Sequence, residues 1–217
     1  MSTFKKAFLF NGIGTKPEKL FQAMTPQMLE KHRSYQHDEF ARLGLKEELS
    51  ENAPIDRLAA EWLTSLISDR VVYEYYIEKG IIPDIGMGHS SGIVSISACF
   101  GSVSHEFAHE VIMMNRATMH SLSISDEKQD MGTIIGMSID DVNELIAEKK
   151  YSPDEVIVGS ANSRICTMIS GREDAVKQLL LDAQEAGAIK VIPFNIGLAY
   201  HHPMIERHSQ EYVEFCA

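Results

Sequence analysis

The chain has 217 residues, of which 44% are hydrophobic and 24% charged, a balance that excludes an intrinsically disordered protein. The net charge of −11 disfavours sequence-independent nucleic-acid binding, which needs basic residues against phosphates. No apolar run approaches the roughly 20 residues that span a bilayer, and three scattered cysteines favour free thiols in a reducing cytosol. We therefore expect a cytoplasmic globular protein with neither a nucleic-acid nor a membrane partner.

Strands and helices are predicted in turn along the first 120 residues. Hydrophobic periodicity and boundaries marked by Gly, Pro and Ser define them. In chain order they are a strand at 6–10, a helix at 54–79, a strand at 81–87, a helix at 93–100 and a helix at 104–119. Residues 17–52 are polar and mixed, and we expect helical pieces joined by loops there.

The pattern changes near residue 131 to βαββαβ, the order of a ferredoxin-like unit. The predicted elements are a strand at 132–137, a helix at 140–149, strands at 156–160 and 166–170, a helix at 173–186 and a strand at 190–194. The chain then returns through 197–204 to a final amphipathic helix. We predict a ferredoxin-like subdomain at 128–196, inserted in an α/β body formed by 1–127 and 197–217.

The strongest local signal for chemistry is Gly88-His89-Ser90-Ser91-Gly92, between a predicted strand and a predicted helix. A serine on so sharp a turn needs small flanking residues. The turn exposes its Oγ beside a helix N-terminus, whose backbone N–H groups can bind an oxyanion. A glycine-rich turn without catalysis is the alternative, and the context favours a nucleophilic Ser90.

A nucleophilic serine needs a base, and the chain has nine histidines. His89 adjoins the serine, and we expect its side chain to point elsewhere on the turn. His201 follows a predicted strand and loop, and the order serine before histidine is that of α/β-hydrolase-like sites. We therefore predict His201 as the base, with a plain surface loop as the alternative.

A rival signal is His105-Glu106-Phe107-Ala108-His109, which fits the H-E-x-x-H motif of zinc peptidases. The motif falls in the first turn of a predicted helix, and Ile112 occupies the glycine position of the motif's extended form. We therefore favour solvent-facing or first-turn histidines over a zinc peptidase, and we predict no metal site.

Arg116 lies on the same predicted helix. One face of this helix is a mostly apolar stripe formed by Phe107, Val111, Met114 and Thr118. Arg116 falls on the opposite face, which it shares with His105, His109 and Ile112. Arg116 is either a solvated or ion-paired surface residue or a bidentate clamp for a substrate carboxylate. Spacing leaves both alternatives open.

Five segments resemble, in order and spacing, the motifs of the malonyl-CoA:acyl-carrier-protein transacylases, the acyltransferases of fatty-acid and polyketide biosynthesis. Phe8–Gly14 resembles F-x-F-P-G-Q-G, Gly80–Gly92 resembles G-x-x-P-D leading to G-H-S-x-G, and Arg116–Met119 resembles R-G-x-x-M. Ala161–Gly171 resembles A-N followed by S-G, and Tyr200–Met204 resembles F-H-S-P-L. The resemblance covers nearly the whole chain.

The resemblance implies an α/β-hydrolase-like large subdomain with an inserted ferredoxin-like subdomain and a site in the cleft. It implies that Ser90 carries the acyl group as an ester between two half-reactions. His201 would be the general base and acid, oriented by a backbone carbonyl. Arg116 would bind the free carboxylate of a malonyl-type acyl group.

The resemblance also assigns the remaining parts of the site. Backbone N–H groups of Ile13 and Ser91 would form the oxyanion hole, and Asn162 would belong to the substrate-binding residues. The expected substrates are a coenzyme A thioester and the phosphopantetheine thiol of an acyl carrier protein, with no further cofactor.

The chain departs from the family's pattern in several places. Ile13 replaces a Gln, Ile93 replaces a Glu, and Ala60-Glu61-Trp62 stands where a Gln-Pro pair is expected. The chain ends one helix after His201, whereas the family continues with a strand and helices of the large body. From the resemblance we therefore expect a fragment, a reduced relative, or a protein completed by a second chain or a synthase complex.

Three other functions stay open at this point. An acyl-ACP hydrolase of the same fold would release free acid, and a non-catalytic relative would bind a carrier protein or a synthase. The third is the zinc peptidase. The segment Leu198–His201 matches neither the common malonyl nor the common methylmalonyl signature, so the acyl group also stays open.

Overall fold

The structure is a computed structural model that describes residues 6–12, 17–45, 54–123 and 128–217. Contacts divide the chain into two units, Met1–Arg116 and Ala117–Ala217. The elements in chain order are β1 (Ala7–Phe10), α1 (Pro17–Gln22), α2 (Pro26–Leu43), α3 (Pro54–Glu78), β2 (Ile85–Gly88), α4 (Gly92–Cys99), α5 (His105–Ser123), β3 (Gln129–Ile135), α6 (Ile139–Glu148), β4 (Val156–Ser163), β5 (Cys166–Arg172), α7 (Glu173–Glu185), β6 (Lys190–Pro193), a 3-10 helix (Pro203–His208) and α8 (Gln210–Cys216).

Strands β1 and β2 of the first unit pair in parallel over their full lengths. On one face of this two-stranded sheet, Phe8 packs edge-on against Tyr73 of α3, and Phe10 packs edge-on against Phe100, which follows α4. Alternation along the strands therefore directs every second side chain of β1 towards these helices. The end of β2 leads directly into the turn that carries Ser90.

A helical core supports this sheet. Pro26 opens α2, and the Thr25 hydroxyl accepts a hydrogen bond from the Met28 N–H at 3.3 Å. Gly80 follows α3 in a left-handed conformation (φ 74°), as the sequence predicts for the end of that helix. One buried cluster unites residues of α2, α3, α4 and α5, among them Phe40, Ala59, Leu63, Ile67, Ala98, Ala108 and Ile112.

Helix α5 begins as predicted, because the Ser104 hydroxyl accepts a hydrogen bond from the Phe107 N–H at 3.0 Å. The predicted apolar stripe is wrong by one position. Ala108, Val111 and Ile112 are buried, while Phe107 is only half-buried. The small Ala108 side chain and Ile112 join the core, so the buried face lies about one residue further along the helix than the predicted stripe.

The second unit contains a four-stranded antiparallel sheet in the order β4-β5-β3-β6. With α6 and α7 it forms the βαββαβ arrangement that the sequence predicts, which confirms the ferredoxin-like part of the fold. Ile134, Val142, Ile169, Val176 and Leu179 are fully buried in a core shared by strands and helices. A capping box of Ser138 and Asp141 fixes the start of α6.

The contact division does not follow the predicted insertion boundaries. It places residues 197–217 with the ferredoxin-like sheet, and it cuts α5 after Arg116. The boundaries at 128 and 196 stay predictions. Within the described ranges, no helix combines the length and the apolarity needed to cross a bilayer.

Candidate active site

Ser90 lies on the predicted strand–turn–helix segment of the first unit. Its backbone is left-handed (φ 51°), an uncommon conformation for a residue with a side chain. The turn is closed by two hydrogen bonds, from the Gly92 N–H to the His89 carbonyl at 2.9 Å and from the Ile93 N–H to the Ser90 carbonyl at 3.1 Å. Ser90 is exposed at its tip.

The two glycines that flank Ser90 are required by space. A Cβ at Gly88 would lie 2.5 Å from the carbonyl carbon of Gly92, and a Cβ at Gly92 would lie 2.3 Å from the carbonyl oxygen of Phe10. Both neighbours are backbone atoms and cannot rotate away. The G-x-S-x-G spacing is therefore a steric requirement of this turn.

The segment after β1 packs against the same turn. The His89 N–H donates to the Phe10 carbonyl at 3.0 Å, and a Cβ at Gly12 would lie 3.3 Å from the Cβ of Ser90. Ile13, the predicted contributor to the oxyanion hole, lies outside the described residues. Ser91 occupies the position just before α4. The structure thus brings Gly12 of the opening motif beside Ser90.

Asp69 of α3 supports the helix that follows the turn, and sequence reasoning missed it. Burial raises the pKa of Asp69 to about 6, opposed by a hydrogen bond from the Ser95 side chain of α4. Burial, and then the Asp69 carboxylate, raise the pKa of the neighbouring Cys99 thiol. The available signal was a carboxylate three residues after Leu66, in line with the buried face of α3.

Arg116 of α5 forms an ion pair with Asp56 of α3. Its Nε and Nη2 atoms both lie 2.6 Å from Oδ1 of Asp56, in the first turn of α3. Both side chains are partly exposed, at 31% for Arg116 and 27% for Asp56. Of the two alternatives left open by spacing, the structure shows the ion-paired one, and a carboxylate already occupies the guanidinium.

The expectation of solvent-facing histidines in His105–His109 is wrong for His109, which is fully buried. Its Nδ1 lies 2.7 Å from Oε2 of Glu39 on α2, which also accepts from Arg42 Nε at 2.8 Å. Burial lowers the pKa of His109 and outweighs the opposing carboxylate of Glu39. Burial likewise lowers the pKa of His105 to about 4. No group of three or more potential metal ligands occurs among the described residues.

His201 lies in the second unit and is exposed, in a left-handed conformation (φ 59°). Its Cβ and that of Ser170 both lie beside Gly159 of β4, because a Cβ built at Gly159 would be 3.3 Å from the first and 3.4 Å from the second. The bare backbone of Gly159 lets this loop lie directly on the sheet.

Two buried side chains of β3 anchor the loop that leads to His201. Gln129 Oε1 accepts a hydrogen bond from the Ala199 N–H at 3.2 Å. Asp130 Oδ1 accepts from the N–H groups of Ile196 at 3.1 Å and Met131 at 2.8 Å. Nothing near His201 in the sequence indicates these anchors, because they lie about 70 residues earlier in the chain.

His202 differs from its neighbour His201 in burial. It is buried, and its Nδ1 accepts a hydrogen bond from the Met204 N–H at 3.1 Å, which caps the following 3-10 helix. Burial lowers the pKa of His202, opposed by the Pro153 carbonyl and by Asp154. His202 is therefore a buried structural group, and of these two histidines His201 is the one exposed as a base requires.

Asn162 lies on the exposed part of β4, where its Oδ1 accepts a hydrogen bond from the Ser160 hydroxyl at 3.0 Å. The structure therefore places Ser90, Ser91 and Arg116 in the first unit, and His201 and Asn162 in the second. The pairing of Ser90 with His201 across these units stays a prediction.

Known proteins similar to the chain were found in sequence and in fold, although no family model matches it. The malonyl CoA-acyl carrier protein transacylase of Buchnera aphidicola subsp. Schizaphis graminum is 26% identical over 147 residues, which cover 67% of this chain and 46% of the relative. The chain thus spans about half the length of the curated transacylases that it matches.

Similarity of fold extends over almost the whole chain. The malonyl CoA-acyl carrier protein transacylase of Coxiella burnetii superposes with a TM-score of 0.79 at 21% identity, covering 99% of this chain and 69% of that one. A malonyl-transacylase solved in complex with its type II polyketide acyl-carrier protein has a TM-score of 0.79 at 19% identity, covering 96% and 68%. These similarities confirm the predicted fold class and the resemblance drawn from the five motifs.

Proposed function

Because the chain is a relative, in sequence and in fold, of the malonyl-CoA:acyl-carrier-protein transacylases, we propose that it transfers a malonyl-type acyl group in the cytosol. The donor is a coenzyme A thioester, and the acceptor is the phosphopantetheine thiol of an acyl carrier protein. The Ser90 turn carries the proposal, since its glycines and its left-handed serine fit the presentation of a nucleophile before a helix.

The first half-reaction loads the serine. Ser90 Oγ attacks the thioester carbonyl while His201 takes the hydroxyl proton, and the carbonyl oxygen becomes an oxyanion. Backbone N–H groups of Ser91 and Ile13 stabilise that charge. The C–S bond then breaks, and His201 returns the proton to the coenzyme A sulfur. Ser90 is left as an acyl ester.

The second half-reaction repeats these steps in reverse with a new thiol. His201 takes the proton of the phosphopantetheine thiol, and the sulfur attacks the Ser90 ester. The C–O bond breaks, and the proton passes from His201 to Ser90 Oγ. Serine and histidine are restored, so no further cofactor is needed.

The proposal assigns two residues to the acyl group. Arg116 would be the cation for its free carboxylate in exchange for Asp56, and Asn162 on the exposed part of β4 would line the substrate. One fold relative is a transacylase in complex with its acyl-carrier protein, which supports a carrier protein as the acceptor.

The decisive experiment follows radiolabelled malonyl from coenzyme A in the presence of a phosphopantetheinylated carrier protein. We expect label on the carrier protein with the wild-type chain and with Ser102→Ala, an exposed serine of the same unit. We expect none with Ser90→Ala. Label released as free acid would identify a hydrolase, and binding of carrier protein without any transfer would identify a non-catalytic relative. Either result overturns the proposal.

A further inference from the structure

The ion pair between Arg116 and Asp56 has consequences for substrate choice. Nε and Nη2 form one edge of the guanidinium, and both lie 2.6 Å from the same oxygen, Oδ1 of Asp56. An arginine binds a carboxylate best through two such parallel N–H groups. A carboxylate of this chain therefore occupies the donor edge that an acyl carboxylate would use.

The positions of the two residues suit exchange of one carboxylate for another. Asp56 lies in the first turn of α3, and Ile55 next to it is buried. About 30% of each side chain of the pair is exposed, so solvent and small anions can reach it. A pair this exposed stabilises the fold only weakly, which leaves it available to a competing anion.

A malonyl group approaching Arg116 meets the negative charge of Asp56 whether it displaces the aspartate or shares the guanidinium with it. An acetyl group has no carboxylate and meets no such repulsion. We propose that Asp56 is a specificity-determining residue that competes with the acyl carboxylate for Arg116 and so limits the preference for carboxylated acyl groups. This inference rests on the proposed function, in which Arg116 binds that carboxylate.

The test compares Asp56→Asn with the wild-type chain. The variant removes the charge but keeps an oxygen that can accept from Arg116 Nε, so the arginine keeps its orientation. We expect the ratio of kcat/KM for Ser90 acylation by malonyl-CoA over acetyl-CoA to rise about fivefold, the size expected for removing one nearby like charge at a partly exposed site. In a Ser90→Ala background, Asp56→Asn should lower the Kd of malonyl-CoA about fivefold and leave acetyl-CoA within about twofold.

The matched control is Glu110→Gln, which removes one negative charge from the helix that carries Arg116. Glu110 pairs with Arg42 at 3.2 Å, and we expect its loss to leave the malonyl-to-acetyl ratio unchanged. A ratio that is unchanged or lower in Asp56→Asn, or raised equally in Glu110→Gln, overturns the inference. Circular dichroism and thermal melting confirm that each variant is folded.

Arg116→Ala separates this inference from the proposed function. If Arg116→Ala abolishes a malonyl preference and Asp56→Asn fails to increase it, only the role of Asp56 is wrong. If the folded wild-type chain is acylated by neither thioester, or if Arg116→Ala leaves the ratio unchanged, the assignment of Arg116 fails and the competition by Asp56 fails with it.

Discussion

The two units hold their candidate catalytic residues in the same unusual backbone conformation by different means. Ser90 (φ 51°) and His201 (φ 59°) are both left-handed. Around Ser90 the conformation comes from glycines within two residues, whose missing side chains let backbone segments pack against each other. Around His201 it comes from a loop tied by Gln129 and Asp130, about 70 residues away in the chain.

This difference determines what each substitution should do. A constraint built from close backbone contacts fails abruptly, because an added methyl group has nowhere to go. A constraint built from side-chain hydrogen bonds fails by degrees, since each bond contributes about 1 kcal/mol and the loop can relax. We therefore expect a substitution in the Ser90 turn to abolish its function outright, and a substitution in the His201 loop to weaken function by degrees.

The largest effect should come from Gly92→Ala, which tests whether the Ser90 turn can accept an added methyl group. Its Cβ would lie 2.3 Å from the Phe10 carbonyl oxygen, so we expect loss of measurable Ser90 acylation and of at least about 3 kcal/mol of unfolding free energy. Gly101→Ala is the control, because open space surrounds a Cβ at Gly101 and only its left-handed backbone (φ 75°) strains an alanine, at about 1–2 kcal/mol. Wild-type stability and acylation in Gly92→Ala would contradict the steric account.

His201→Asn and His202→Ala should separate the catalytic histidine from the structural one. Loss of a general base costs about 10²- to 10⁴-fold in rate, so we expect His201→Asn to lower acylation in that range with little change in unfolding free energy. His202→Ala should lower stability by about 1–2 kcal/mol through loss of its buried cap. Stopped-flow acylation and urea denaturation measure the two effects, and the reverse assignment would refute this division.

Asp130→Ala should show the graded behaviour of the histidine loop. Oδ1 of this buried carboxylate accepts from two backbone N–H groups, and its removal should cost about 1–3 kcal/mol of stability. We also expect acylation to slow about tenfold, because a displacement of about 1 Å at a catalytic group costs one to two orders of magnitude. Asp174→Asn, an exposed carboxylate of the same unit, is the control. An effect as abrupt as that of Gly92→Ala would remove the contrast between the units.

The smallest effect concerns Asp69, which is hydrogen-bonded to Ser95 on α4, the helix that follows the Ser90 turn. The folded-state pKa of Asp69, about 6, lies above the ordinary aspartate value of 3.8, so the folded chain binds the proton more tightly than the unfolded chain does. Stability from this group is therefore greatest below about pH 4 and falls as the pH rises towards 6.

Asp69→Asn removes that dependence. The unfolding free energy of the variant minus that of the wild-type chain should rise by about 2 kcal/mol between pH 4 and pH 7. Other titrating groups, including His105, are present in both proteins and cancel in the difference. Urea denaturation at several pH values gives this difference, and a flat difference would show that Asp69 is ionised without cost.

Sequence reasoning succeeded where the constraint is local. The Ser90 turn could be predicted because its glycines, serine and flanking elements are contiguous, and the βαββαβ order because periodicity marks each element. It failed for the partners of Arg116 and His109, since Asp56 and Glu39 lie 60 and 70 positions away. It also misjudged the buried face of α5, where the small Ala108 belongs to the core. Long-range pairing has no local signature.

The central claim is that Ser90 carries the acyl group in the course of transfer. Intact-protein mass spectrometry of the chain after incubation with malonyl-CoA, followed by peptide mapping, tests it most directly. We predict an increase in mass by one malonyl group, located on the peptide that contains Ser90 and absent from Ser90→Ala. A folded chain that gains no malonyl group, or gains it on another residue, would contradict the account.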